Sequence, residues 1–162
     1  MAGAEGIWHF SYTVSNLERT VAFYRDLLGF EVVHEQEQAN AYTDRLVGYE
    51  GAHLRVAMLK VGDQVGVSGH VLELVQYVAP KGERMNGEPK NTLAAHMALY
   101  VRDLPSIYSK LREAGVTFRS FGDGPVAIEA GRNKGGYTCY ALDPDGFVVE
   151  IVQPPASFWQ DR

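Results

Sequence analysis

Two stretches of this sequence follow one plan, and a duplicated plan restricts the possible folds more than any single element does. IWHFSYTV, residues 7–14, has strand composition and runs into Ser15, whose hydroxyl can cap a helix while Glu18 completes a capping box. Leu17, Val21, Tyr24 and Leu28 recur at helical spacing, Gly29 supplies a left-handed terminator, and GFEVVHEQ reads as a second strand. The order returns in HMALYV, where Asp103 can cap and Pro105 suits a first helical turn. Leu104, Tyr108 and Leu111 then share a face, and Gly115 stops the helix before VTFRSF, the matching strand. His9 aligns with His96, Val14 with Val101 and Leu17 with Leu104, all at one constant offset.

The two halves also end alike. AMLKV and VLELVQY in the first resemble YTCYAL and FVVEIVQ in the second, and Gly69 stands before Glu73 as Gly146 stands before Glu150. Asp143, Pro144, Asp145 and Gly146 fit a type I turn position by position. The expectation is an α+β protein of two tandem βαβββ modules, forming a cupped mixed sheet with helices outside. Residues 1–162 then make one domain, with module 1 over 7–78, a linker over 79–93 that contains KGERMNGEPKN, and module 2 over 94–153. The first half is longer, and its extra residues fall in QANAYTDRLVGYEGAH, read as a loop or short helix near the site. GRNKGG, residues 131–136, lacks the spacing of a phosphate-binding loop and precedes a strand, so nucleotide binding is not expected.

The repeat places two histidines at equivalent points of two first strands, and two glutamates at equivalent points of two last strands. Glu73 and Glu150 lie among Val, Leu and Ile, where an unpaired carboxylate is costly to bury. A cation compensates that cost directly. Imidazole and carboxylate donors suit one divalent ion among Zn, Ni, Co, Mn and Fe, and four such donors leave positions open for water or substrate. His9, Glu73, His96 and Glu150 are therefore the candidate metal ligands. By period-two alternation Ser11 and Thr13 share the face of His9, and Ala98 and Tyr100 share that of His96. Val71, Val75 and Tyr77 accompany Glu73, and Val148 and Val152 accompany Glu150, giving an apolar pocket suited to a small organic substrate.

Composition narrows the alternatives. A formal charge of -5 with no basic run argues against a nucleic-acid partner. The first residues lack the basic start and apolar stretch of a secretory signal, and no later segment is long and apolar enough to span a bilayer. The cytoplasm is the expected location, with no membrane association. Cys139, the single cysteine, excludes an internal disulfide and a thiolate-rich zinc site, and reads as a buried strand residue. His34, His53 and His70 have no counterpart in the repeat and read as structural or surface residues. His70 is placed by alternation on the strand face opposite Glu73, close enough to a turn to reach the pocket rim. Trp8 is expected to face away from His9, into packing between sheet and helix. Arg45, Arg55, Lys90, Arg132 and Lys134 read as solvated charges.

HFSYTVSNLERTVAFYRDLLGFEVV, AHMALYVRDL and YALDPDGFVVEIVQ resemble the signature segments of the vicinal-oxygen-chelate superfamily, and the resemblance covers nearly the whole chain. That superfamily includes glyoxalase I, methylmalonyl-CoA epimerase, extradiol dioxygenases, and fosfomycin and bleomycin resistance proteins. The resemblance implies paired βαβββ units and a homodimer. A His, Glu, His, Glu set is similar to that of metal-dependent glyoxalase I and of the epimerase, which usually has Gln at the second position. Extradiol dioxygenases use no ligand at the place of Glu73, and bleomycin-binding members lack the set. The implied activity is a lyase or isomerase step through an enolate or enediolate on a substrate with adjacent oxygens, with Glu73 or Glu150 as base. An Fe(II) ring-cleaving dioxygenase and a small-molecule binding or resistance protein are the alternatives. The chain continues VQYVAPKGERMNG after Glu73, without the Asn-rich stretch associated with glutathione in compact bacterial glyoxalase I.

Overall fold

The computed structural model describes residues 8–62 and 71–160, so Gly69 and His70 lie outside the described residues. The chain falls into two units, one within residues 1–84 and one within 85–162. Each contains one four-stranded mixed sheet.

In the first unit, β1 (His9–Thr13) leads into α1 (Leu17–Ala22), which widens into a π turn over Phe23–Leu27. The helix starts one residue later than the Ser15 cap predicts. Asn16 is extended (φ −147°), and its side-chain amide oxygen accepts from the Arg19 backbone N–H at 2.8 Å. The Ser15 hydroxyl instead accepts from the Arg19 guanidinium. An amide oxygen at Asn16 reaches the orphan N–H groups of a helix beginning at Leu17, so the shorter-armed Ser15 is left one position too early. Leu17, Val21 and Tyr24 are buried as their spacing predicts, and Gly29 (φ +74°) ends the segment.

β2 (Phe30–Gln38) follows, then α2 (Ala41–Val47), β3 (His53–Val61) and β4 (Val71–Ala79), in the sheet order β1-β4-β3-β2. The additional residues of the first half form α2. Asn40 caps it on the Tyr42 and Thr43 N–H groups, and the Asp44 carboxylate accepts from the Ala52 N–H at 2.8 Å, anchoring the insertion to the start of β3. β1 and β4 are parallel, with Ser11 opposite Glu73 and Thr13 opposite Val75. Trp8 stands just before β1 and is 83% exposed, so the expectation that it packs between sheet and helix is wrong. Strand alternation does not govern a residue outside the ladder.

The second unit repeats this plan with β5 (His96–Tyr100), α3 (Leu104–Glu113), β6 (Val126–Ala127), β7 (Tyr137–Leu142) and β8 (Val148–Gln153), ordered β5-β8-β7-β6. Ala98 faces Glu150 and Tyr100 faces Val152 across a parallel ladder, in the register of the first unit. VTFRSF is not a continuous strand. Phe118 makes one isolated bridge to Ala141, while β6 pairs further along the same edge of β7. Gly122 (φ +100°), Gly124 and Pro125 separate the two pieces, because they favour a turn and interrupt donor pairing.

The Asp143 turn closes as its sequence predicts. The Gly146 N–H donates to the Asp143 carbonyl at 3.0 Å, and the Asp143 carboxylate accepts from the Asp145 and Phe147 N–H groups. The GRNKGG segment is a tight turn, in which a Cβ on Gly136 would come within 2.3 Å of the Gln153 carbonyl oxygen. Its glycines allow close backbone approach.

α1 and α3 cover the sheet face opposite the candidate ligands. Leu72, Leu74, Ala57 and Leu59 are buried in the first unit, and Cys139, Ala141, Val149 and Ile151 in the second. Gln76 and Gln153 tie helix to sheet in the same way. Each side-chain oxygen accepts from the first helical N–H, Leu17 at 2.9 Å and Leu104 at 2.8 Å. Each satisfies a donor that helix geometry would otherwise leave unpaired.

Candidate active site

In the first unit His9 and Glu73 come together, with His9 Nε2 3.4 Å from Glu73 Oε2. In the second, His96 Nε2 is 3.4 Å from Glu150 Oε2. The parallel ladders produce this match: the histidine begins one strand, and the glutamate lies across from the residue two positions later. Two donors about 2.1 Å from one ion and about 90–110° apart lie about 3.0–3.4 Å from each other. Each pair therefore has the donor chemistry and the separation of two neighbouring ligands. No group of three or more His, Cys, Asp or Glu side chains that could hold an ion gathers among the described residues, so each unit offers a pair.

The surroundings of the pairs differ. The Thr138 hydroxyl donates to Glu150 Oε1 at 3.1 Å, and the Tyr140 ring stacks on His96 with centroids 5.7 Å apart. Burial, reinforced by the Glu150 charge, pushes the Tyr140 phenol above its ordinary range. In the first unit, Val56 and Met58 occupy the β3 positions opposite Val75 and Glu73. Beyond His9, Glu73 has no hydrogen bond or ion pair to any described residue. The His9 Nδ1 is buried without a hydrogen-bond partner among the described residues.

Ser11 and Thr13 lie on the His9 face and are exposed, and Val75 and Tyr77 continue the Glu73 face. Ala98, Tyr100 and Val152 share the face of His96 and Glu150. Two segments outside the repeat add aromatic contacts to these faces. Tyr49, just beyond α2, packs edge-on against Tyr77 in the first unit. In the second, a 3-10 helix (Ala156–Trp159) brings Phe158 and Trp159 against Tyr100, and the Arg102 guanidinium lies 4.1 Å over the Trp159 ring.

Of the other described histidines, His34 contacts Gln36, and His53 pairs with Glu37 at 2.5 Å. Arg45, Lys90, Arg132 and Lys134 are exposed, while Arg55 pairs with Glu18. Cys139 is fully buried, and desolvation with a contribution from the Glu150 charge pushes its thiol up to about 12. It is an inert core residue. Sequence reasoning missed Thr138, Tyr140 and the two glutamine ties. The glutamines were detectable, since VQ follows both glutamates, whereas Thr138 differs from Val56 at the matching position, which carries no hydroxyl.

A family model described as the glyoxalase/bleomycin resistance protein/dioxygenase superfamily matches residues 6–151. The chain belongs to this superfamily. A 2-epi-5-epi-valiolone epimerase from Actinomyces sp. is 30% identical over 158 residues, spanning 95% of this chain and 82% of that protein. A probable lactoylglutathione lyase from Vibrio parahaemolyticus is 30% identical over 150 residues, spanning 91% and 89%. Among solved structures, a glyoxalase family protein from Bacillus cereus has a TM-score of 0.80 at 15% identity, covering 96% of this chain and 97% of that one. The chain is an enzyme of this superfamily. No helix among its described residues is long and apolar enough to cross a membrane.

Proposed function

We propose that the protein is a divalent-metal-dependent epimerase or lyase, which moves a proton at a carbon next to a carbonyl in a small substrate with adjacent oxygens. The observation that carries this reading is the pair of His–Glu couples, each 3.4 Å across, in the same register of two repeated ladders. His9, Glu73, His96 and Glu150 would hold one ion of Ni, Co, Zn, Mn or Fe, the four-residue set being completed within one chain or between two copies in a homodimer. Such an ion supplies Lewis-acid stabilisation of negative charge on substrate oxygen, worth several kcal/mol.

The chain's own groups do the rest. A carboxylate of Glu73 or Glu150 accepts the carbon-bound proton and returns it, a role that typically contributes about 10²- to 10⁴-fold. Ser11, Thr13, Val75, Ala98, Tyr100 and Val152 line the pocket, where apolar walls exclude water and the hydroxyls orient substrate oxygens. The epimerase-like reaction is favoured over a glutathione-dependent one. The sequence after Glu73 carries no Asn-rich stretch, and the epimerase relative spans 95% of this chain.

Elemental analysis of protein purified without added metal, with its mass in solution, tests the ligand set. Proton exchange in D2O on cyclic 2-hydroxyketones, 2-substituted acyl thioesters and hemithioacetals tests the chemistry. Ni, Co or Zn at one ion per site together with exchange is the expected result. Iron with oxygen consumption on catechols would replace this reading by ring cleavage, and ligand affinity without any ion would replace it by a binding protein.

A further inference from the structure

Residues directly opposite one another on neighbouring strands share a face, so the ladders of the first unit can be read sideways. Ser11 faces Glu73, Glu73 faces Met58, and Met58 faces His34. One row further, Thr13 faces Val75, Val75 faces Val56, and Val56 faces Gln36. His34 and Gln36, on the edge strand β2, therefore stand on the face of the candidate ligands, two strand steps or about 10 Å of backbone from β4. Plain alternation would not put His34 there. Val32 faces Leu59 on the helix-covered side, so Val33 would come opposite Met58; the register shift between Val32 and His34 brings His34 to that place instead. A bulge that re-aims a side chain beside a site is a recurrent use of this irregularity.

The next row is closed by α2. The Thr43 hydroxyl donates to Gln38 Oε1 at 3.3 Å, the Tyr49 ring packs on Tyr77, and Leu54 between Gln38 and Tyr77 is buried. In the row of Glu73, by contrast, Met58 is half-buried and His34 exposed. His34 Nε2 lies 3.2 Å from Gln36 Oε1. A neutral imidazole has one donor and one acceptor, and an amide has both kinds. Whichever tautomer and amide orientation the pair adopts, the bond between them uses one donor and one acceptor and leaves at least one of each. A hydroxyl, which both donates and accepts, matches that remainder.

We propose that His34 and Gln36 form a hydroxyl-binding subsite that selects polyhydroxylated cyclic substrates. The adjacent oxygens of such a ring lie at the His9–Glu73 end, its carbon skeleton lies over the Met58 thioether, and a hydroxyl on its far side is held by His34 and Gln36. A separation of two strand steps suits one substituted ring. The inference names the substrate class of the metal-dependent reading above and rests on it.

The full-length protein loaded with Co2+, and its variants H34L, H34Q, Q36L and H34L/Q36L, would be titrated calorimetrically with two ketones. One is scyllo-inosose, a pentahydroxycyclohexanone. The other is 2-hydroxycyclohexanone, which has the adjacent oxygens and no remote hydroxyl. Deuterium uptake from D2O into each would be followed in parallel. The wild-type protein is expected to bind scyllo-inosose more tightly. In H34L and in Q36L the ratio of the two affinities should fall about tenfold with Co2+ retained, the change that one lost hydrogen bond in a binding site produces. H34Q, which keeps a donor and an acceptor, should preserve most of the ratio. The double variant should lose less than the product of the single losses, because either change already breaks the pair. An unchanged ratio in both H34L and Q36L, or equal weakening of both ketones, would overturn the subsite, and deuterium uptake by the wild-type protein would leave the proton-transfer reading standing. Binding without uptake, with the ratio lost in the variants, would keep the subsite and remove that reading. Neither binding nor uptake with either ketone would overturn both.

Discussion

The two modules agree where strands pair and disagree where segments connect. His9 and His96 face Val71 and Val148, and Val14 and Val101 donate to Val75 and Val152 at the same 2.8 Å. Away from these ladders, α2 lies between the second and third strands of the first module, while the fourth sheet position of the second is broken at Gly122 to Pro125. The aromatic contacts also have unrelated origins, one from the insertion and one from the 3-10 helix. Parallel pairing with a buried face tolerates no slip, since a one-residue shift would exchange the His–Glu face for the core face. Connections carry no such constraint.

Equivalent core residues test how alike the modules are energetically. Leu74 and Ile151 are both fully buried on the helix-facing side, and truncating either to alanine is expected to cost about 2–5 kcal/mol. Denaturant unfolding would show whether the two losses match, and two resolved transitions would mean that the units unfold separately. A smaller effect is expected at the glutamine ties: Gln76→Ala and Gln153→Ala each strand one helical N–H, costing about 1–3 kcal/mol. Unequal losses would break the symmetry that these ties display.

The helix caps sharpen the comparison further. Asn16→Ala should cost about 1 kcal/mol at any pH, because an amide does not titrate. Asp103 is different: hydrogen bonds from the Ser106 side chain and backbone hold its carboxyl below the usual range. A lowered folded value means that its contribution is present above the unfolded carboxyl value and is lost as pH falls through the folded one. Melting temperature followed from neutral pH to below pH 4 should therefore show an acid-sensitive component that Asp103→Asn removes and Asn16→Ala leaves in place. The smallest effect concerns Cys139, whose module 1 counterpart is Ala57. With its thiol buried and pushed up to about 12, a disulfide-exchange reagent at pH 8 should label native protein no faster than global unfolding allows.

The fold was legible in the sequence because duplication supplied an internal comparison. A histidine alone on a strand means little, but His9 and His96 at matching points, each with a glutamate to match, identify register as well as element type. The Asp143 turn was readable because each of its residues has its own backbone requirement. Less was legible where neighbouring residues compete for one role. Ser15 and Asn16 can both cap, and only the helix start at Leu17 decides between them. VTFRSF has strand composition, yet the turn residues that follow it stop the pairing after one bridge. Thr138 could not be found from the repeat, since it acts on Glu150 from a neighbouring strand and differs from its counterpart Val56.

The placement of α2 carries one consequence for how this enzyme can diverge. Because the histidine and the glutamate of the first module sit on directly adjacent β1 and β4, chain added between β2 and β3 does not pass through their ladder. That connection can grow, shrink or change its aromatic tip without resetting the gap between imidazole and carboxylate. Selection can therefore reshape this edge of the first module while the His9–Glu73 pair is inherited unchanged.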